Sequence, residues 1–160
     1  MSNDLQKMTF KSQEAMQLAA KFAETNKHSV VEPEHLLLQL VEQENGLIPR
    51  LLDESQVKAK NLILSVHQAI AKLPKLSQAQ SQVYASNRLQ KIFQQADAES
   101  RKMNDELIST EHFFIAMTRS DDTELKKIFK DADIKLERII ESLKKVKGNK
   151  KVTDENPENQ

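Results

Sequence analysis

EPEHLLL at residues 32–38 and STEHFFI at residues 109–115 decide the fold of this chain. Each carries a helix-start signal, Pro33 in one copy and Ser109 in the other, and each places Glu-His directly before three large apolar residues. His112 minus His35 is 77. At that one offset, without a gap, Val30-Val31 falls on Leu107-Ile108, Leu51-Leu52 on Ile128-Phe129 and Val57 on Ile134. Leu62, Ile63 and Val66 likewise meet Ile139, Ile140 and Leu143. Identity is low but the core positions keep phase, so the chain reads as a duplicated four-helix unit. Two copies are too few for a solenoid. The expectation is an all-α single globular domain of eight helices, built from two repeats related by a pseudo-twofold axis.

Outward from these motifs the helical faces follow in order. Thr9 caps a first helix, about Phe10 to Asn26, with Ala15, Leu18, Ala19, Phe22 and Ala23 at helical spacing. The second helix opens at Pro33 and stops at Asn45-Gly46. Leu47, Ile48, Leu51 and Leu52 form a short third, and Val57 leads into a fourth that ends before Pro74. PKLSQAQSQV, residues 74–83, has no helical face and reads as a connector. Ser86 then caps a fifth helix with Leu89, Ile92, Phe93, Ala96 and Met103, and Ser109 precedes a sixth. Leu125, Ile128 and Phe129 mark a seventh, and Leu136, Ile139, Ile140 and Leu143 an eighth. The domain is placed at 1–146, with repeat one at about 9–73 and repeat two at about 86–146. A polar linker or tail, GNKKVTDENPENQ and the lysine before it, covers 147–160. Lys144, Lys145 and Lys147 read as compensation of the last helix dipole rather than a nucleic-acid patch.

Composition narrows the chemistry. The 160 residues carry 24 Lys and Arg against 24 Asp and Glu, so no net charge drives the chain to nucleic acid or to an acidic membrane. Two glycines cannot build a phosphate-cradling loop, and the absence of cysteine removes thiol chemistry and Cys-based zinc sites. No apolar run approaches a membrane span or a secretory signal, and the expected location is cytoplasmic. No nucleophile and base pair, carboxylate constellation or metal cluster stands out, so neither catalysis nor a cofactor is expected of this segment. His35 and His112 lack a metal partner at helical spacing and read as packed or capping histidines.

The segments Thr9-x-Lys11-x-Gln13-Glu14-Ala15, Glu32-Pro33-Glu34-His35-Leu36-Leu37-Leu38-x-Leu40 and Ile108-Ser109-Thr110-Glu111-His112-Phe113-Phe114 together resemble the doubled Clp amino-terminal repeat, over residues 5–146. Within that family the nearest likeness is to the ClpB disaggregase branch. Val152-Thr153-Asp154-x-Asn156-Pro157-Glu158 is similar to the segment leading toward a first AAA+ module. The resemblance implies a non-catalytic, monomeric receiving domain for unfolded or aggregated polypeptides. It also implies a hexameric AAA+ ring using ATP and magnesium elsewhere in the protein, and cooperation with a DnaK-type chaperone system in protein disaggregation under heat stress. The rival reading is an adaptor-type Clp domain that docks one folded protein or a helix.

The same resemblance implies an apolar groove with polar positions at its border. Thr9, Asp105 and Glu111 are the polar candidates, and Phe10, Phe93 and Phe113 the apolar ones. From the residues alone, Thr9 is a cap, Glu111 and Glu34 are carboxylates at helix starts, and the three phenylalanines are core. The chain departs from the family pattern in two places. Asn26-Lys27-His28 and Met103-Asn104-Asp105 stand where many relatives have a glycine turn, with asparagine expected to tolerate the left-handed conformation. Pro33 replaces the first of the two threonines with which some protease-linked relatives accompany a grip on phosphorylated arginine, so that activity is not expected from both halves.

Overall fold

The computed structural model describes residues 2–148, with side chains from residue 4. The sequence reading of the tail therefore lies almost wholly outside the described residues. Among these, the helices are α1 (Ser2–Gln6), α2 (Phe10–Thr25), α3 (Pro33–Glu42), α4 (Leu47–Glu54), α5 (Ala59–Ala71), α6 (Asn87–Lys102), α7 (Thr110–Arg119), α8 (Thr123–Asp131) and α9 (Leu136–Lys147). The chain is all-α apart from two-residue strands β1 (Val30–Val31) and β2 (Tyr84–Ala85), which pair in parallel. Eight of the helices are those the periodicity predicts. The ninth, α1, is a correction: five residues carrying one large apolar side chain, Leu5, offer no periodicity to read.

The helix starts obey local chemistry. The Thr9 hydroxyl accepts from the Ser12 N–H, and at the same place in the second repeat the Ser86 hydroxyl accepts from the Leu89 N–H. Removing either oxygen leaves a helix-start donor unsatisfied. Thr9→Ala and Ser86→Ala are each expected to lower stability by about 1 kcal/mol, read from urea unfolding midpoints. The backbone turns also recur at the offset of 77. Lys27 and Asn104 both take positive φ, as do Gln56 and Asp133. In the first repeat the left-handed residue is thus Lys27 and not its neighbour Asn26, which caps α2 at φ −93°.

The two halves are related by a pseudo-dyad that runs through their contacts. Val31 pairs with Ala85, and Met8 bridges to Ile108 in the same parallel sense; adding 77 to one residue of each pair and subtracting it from the other converts one pair into the other. Ser86 donates its N–H to the Val31 carbonyl at 3.0 Å, and Thr9 donates its own to the Ile108 carbonyl at 3.1 Å. The short helices are exchanged across the axis: α4 packs on α9 of the other half, and α5 on α8. Helices α3 and α7 lie at the centre, with Leu36, Leu37, Leu38, Phe113 and Phe114 fully buried. A strand pair that joins the repeats lies outside what helical periodicity predicts, because it is set by a contact between segments far apart in sequence.

Candidate functional site

An apolar cavity of about 350 Å³ lies between α1, the approach to α2, and α6. Leu5, Met8, Met16, Ala85, Leu89 and Phe93 line it, with Asp4, Lys7, Asp97, Arg101, Gln90 and Gln94 at its rim. Four of its six apolar residues form two dyad pairs at the offset of 77, Met8 with Ala85 and Met16 with Phe93, whereas Leu5 and Leu89 correspond to Gln82 and Ser12, which do not line it. A cavity lined by both members of such pairs lies on the axis between the repeats. Its size suits one or two large apolar side chains.

Of the residues singled out from the sequence, Phe93 lines this cavity and also meets the Phe113 ring, with centroids 6.0 Å apart. Phe113 itself is completely buried behind it and reaches no solvent. Phe10 is 47% exposed at the start of α2 but does not line the cavity. Thr9 is buried in its capping role. Asp105 and Glu111 are buried as well, away from the rim. The rim acids are instead Asp4 and Asp97, each accompanied by a base. Sequence reasoning did not single out Leu5, Met8 or Met16. The signal was available for one of them, since Met16 maps onto Phe93 at the offset of 77.

The buried acids are held by the chain's own cations. Glu34 and Glu111 are dyad mates, each only 1% exposed in the first turn of its helix. The Arg88 guanidinium donates to both Glu34 oxygens at 3.1 Å, and through Nε and Nη2 to both Asp122 oxygens at 2.9 and 2.8 Å. Arg88 on α6 thereby ties α3 of the first repeat to the N-cap of α8 in the second. Burial pushes the Glu34 carboxyl up and outweighs the pull of Arg88. Asp122 lies nearer solvent, and there the Arg88 hydrogen bonds prevail and hold the carboxyl below its ordinary value. Arg88 is itself raised, chiefly by its bond to Asp122.

Glu111 is met by Lys147 Nζ and by the Ser109 hydroxyl, and the same Lys147 lies 3.8 Å from Asp105. Lys147 therefore turns back onto the start of α7, beyond the dipole role read from its place at the end of α9. Direct substrate contact at Asp105 or Glu111 would require Lys147 to leave.

The histidines are structural anchors in both halves. His112 Nδ1 accepts from the Ser109 N–H at 2.8 Å, which places the proton of the neutral ring on Nε2, facing Asp105 Oδ2 at 2.8 Å. His35 Nδ1 accepts likewise from the Glu32 N–H, and its Nε2 faces His28 Nδ1 at 3.0 Å. The dyad mate of Asp105 is thus His28. Desolvation, then the neighbouring His28, pushes His35 down to about 4. His28 is lowered by burial and then by Lys75. No group of three or more His, Cys, Asp or Glu able to hold a metal occurs among the described residues. No helix among them is long and apolar enough to cross a membrane.

Comparison with known proteins agrees with this architecture. The family profile described as the Clp repeat N-terminal domain matches residues 7–132. The chain belongs to the Clp repeat N-terminal domain family. It is similar to the chaperone protein ClpB of Bdellovibrio bacteriovorus, 44% identical over 152 residues, covering 95% of this chain and 18% of that protein. The ClpB of Clostridium tetani is 31% identical over 158 residues, covering 97% of this chain and 18% of that protein. The chain thus spans a little under a fifth of the length of these relatives. The Hsp104 N-terminal domain from Candida albicans shares the fold at a TM-score of 0.82 and 16% identity, covering 95% of this chain and 99% of that one. A Clp N-domain from ClpV, solved in complex with a VipB peptide, does so at 0.68 and 20% identity, covering 89% and 88%.

Proposed function

We propose that this Clp N-domain is the polypeptide-receiving part of a ClpB-type, ATP-dependent disaggregase, and that the cavity on the pseudo-dyad takes apolar side chains of unfolded or aggregated clients. The observation that carries this reading is an apolar, partly open cavity lined by Leu5, Met8, Met16, Leu89 and Phe93 in a chain of this family. Methionine suits such a role because its unbranched, polarizable side chain conforms to different partners. Bringing a loose chain to a shallow site costs ordering entropy, so binding is weak and reversible. That is adequate for a domain that passes its client onward. In this reading the hexameric AAA+ ring, its ATP and magnesium, and a partnership with DnaK-type chaperones belong to the rest of a cytoplasmic protein. Thr9, Asp105, Glu111 and Phe113 act from beneath, by fixing the starts of α2 and α7 behind Phe93.

Titrating the domain with a permanently unfolded protein, such as reduced and carboxymethylated α-lactalbumin, is expected to shift amide resonances around Leu5, Met8, Ala85 and Phe93, with a Kd between about 10 μM and 1 mM. Phe93→Ala is expected to weaken binding roughly tenfold, as loss of an aromatic anchor does. Because Phe93 also touches Phe113, the rim variant Gln94→Trp, which narrows the opening without removing buried contacts, serves as a second probe. Shifts confined to other surfaces, or unchanged affinity in both variants, would overturn the assignment of the cavity. Tight one-to-one capture of a folded protein or a single helix, with no response to unfolded chains, would favour adaptor-type docking instead.

A further inference from the structure

The position of the cavity on the pseudo-dyad has a consequence for how a chain can lie in it. Rotation about that axis exchanges Met8 with Ala85 and Met16 with Phe93, so a ligand turned end for end meets apolar surface at each of these places. Chain direction is ordinarily read through main-chain hydrogen bonds, as when a peptide adds a strand to a sheet edge. Here the main-chain carbonyls in the lining are already engaged. Gln13 Nε2 donates to the Met8 carbonyl at 3.0 Å, and its dyad mate Gln90 donates to the Ala85 carbonyl at 3.1 Å. The glutamines of the two halves close the same main-chain acceptor on either side of the axis.

Charge gives no direction either. The α1 side of the rim carries Asp4 and Lys7, and the α6 side carries Asp97 and Arg101, which pair with each other at 3.2 Å. Each side holds one acid and one base, so neither attracts one end of a peptide dipole over the other. What remains is side-chain contact with Leu5, Met8, Met16, Leu89 and Phe93, surfaces that distinguish apolar from polar but not N-to-C from C-to-N.

We infer that the cavity binds apolar peptide segments in both chain directions, with populations within about threefold of each other, since the exposed rim contacts that differ between the two ends are individually weak. The inference rests on the proposed role of the cavity and adds to it a rule of recognition. A receiving domain built this way accepts a client segment by its side chains whichever end of the chain leads.

The experiment uses a capped nine-residue peptide with a Leu-Phe-Leu centre in Gly-Ser flanks, carrying a nitroxide label at its first or its last residue. Paramagnetic broadening is read at the methyls of Met8 and Ala85 and at the Met16 methyl and Phe93 ring. Both labels are expected to broaden both members of each pair, with intensity ratios within about threefold between the two peptides. If each label broadens only one member, and the other label only its mate, binding has a single direction and the inference is overturned while the cavity stands. If the unlabelled peptide shifts none of these resonances at millimolar concentration, the role of the cavity itself fails, and the inference with it. Gln90→Leu supplies a further readout: freeing the Ala85 carbonyl on one side alone is expected to move the populations apart, which a site already of one direction would not do.

Discussion

Replacing Arg88 with methionine is expected to destabilise the domain by roughly 3–5 kcal/mol, the effect of removing one partner from a buried ion cluster. The Glu34 carboxylate is 1% exposed and takes both of its charged hydrogen bonds from this guanidinium. Without Arg88 it must remain buried and uncompensated, take up a proton, or open the start of α3 to water. Asp122 loses two hydrogen bonds in the same step, although it retains the Leu125 N–H that it caps. Urea unfolding at neutral pH provides the measurement. Arg88→Lys keeps the charge but not the planar fork that satisfies two carboxylates at once, and is expected to fall between the wild type and Arg88→Met. Glu34→Gln in the Arg88→Met background should recover part of the loss, because the variants share one cluster and do not add. A loss below about 1 kcal/mol would show that the cluster is held elsewhere.

Acidification from pH 7 to pH 5 is expected to remove about 2 kcal/mol through His35 alone. Its folded-state value lies near 4, below the 6.5 of the unfolded chain. The unfolded state therefore binds the proton first, so stability falls as pH drops below 6.5 and the loss levels off beneath 4. The geometry explains the direction. His35 Nδ1 already accepts the Glu32 N–H, so a second ring proton would set donor against donor. His28, also lowered, faces the other nitrogen and contributes in the same sense. Asp122 adds a loss at lower pH still, as its depressed carboxyl is protonated. Urea midpoints at pH 7, 6 and 5, with the histidine ring resonances followed by NMR, test this. A His35 ring titrating near 6.5, or midpoints that do not move, would contradict it.

Both predictions concern interactions of a kind the sequence carries only in part. The helices were legible because their apolar positions repeat within one or two turns, and the caps because Thr9, Ser86 and Ser109 act on backbone a few residues away. The role of His35 and His112 as packed, capping residues was legible for the same reason. The offset of 77 also held the dyad, since residues equivalent in sequence occupy equivalent places in a doubled fold. Leu5 and α1 were not legible, because five residues with one large apolar side chain form a helix only against something else. Nor was the cation of each buried glutamate. Glu34 is served from α6 of the opposite repeat and Glu111 from the end of α9, and Arg88 and Lys147 are not equivalent positions.

The sequence by itself determined the helical elements, their starts and stops, and the doubling of the unit, for each of these rests on residues that act on their near neighbours or on a repeated pattern. Tertiary structure alone decided where the two copies meet: the strand pair between them, the guanidinium that joins them, and the cavity left on their axis. Those features arise from side chains brought together across long stretches of chain, where shape and burial select the partner and no local spacing records the choice.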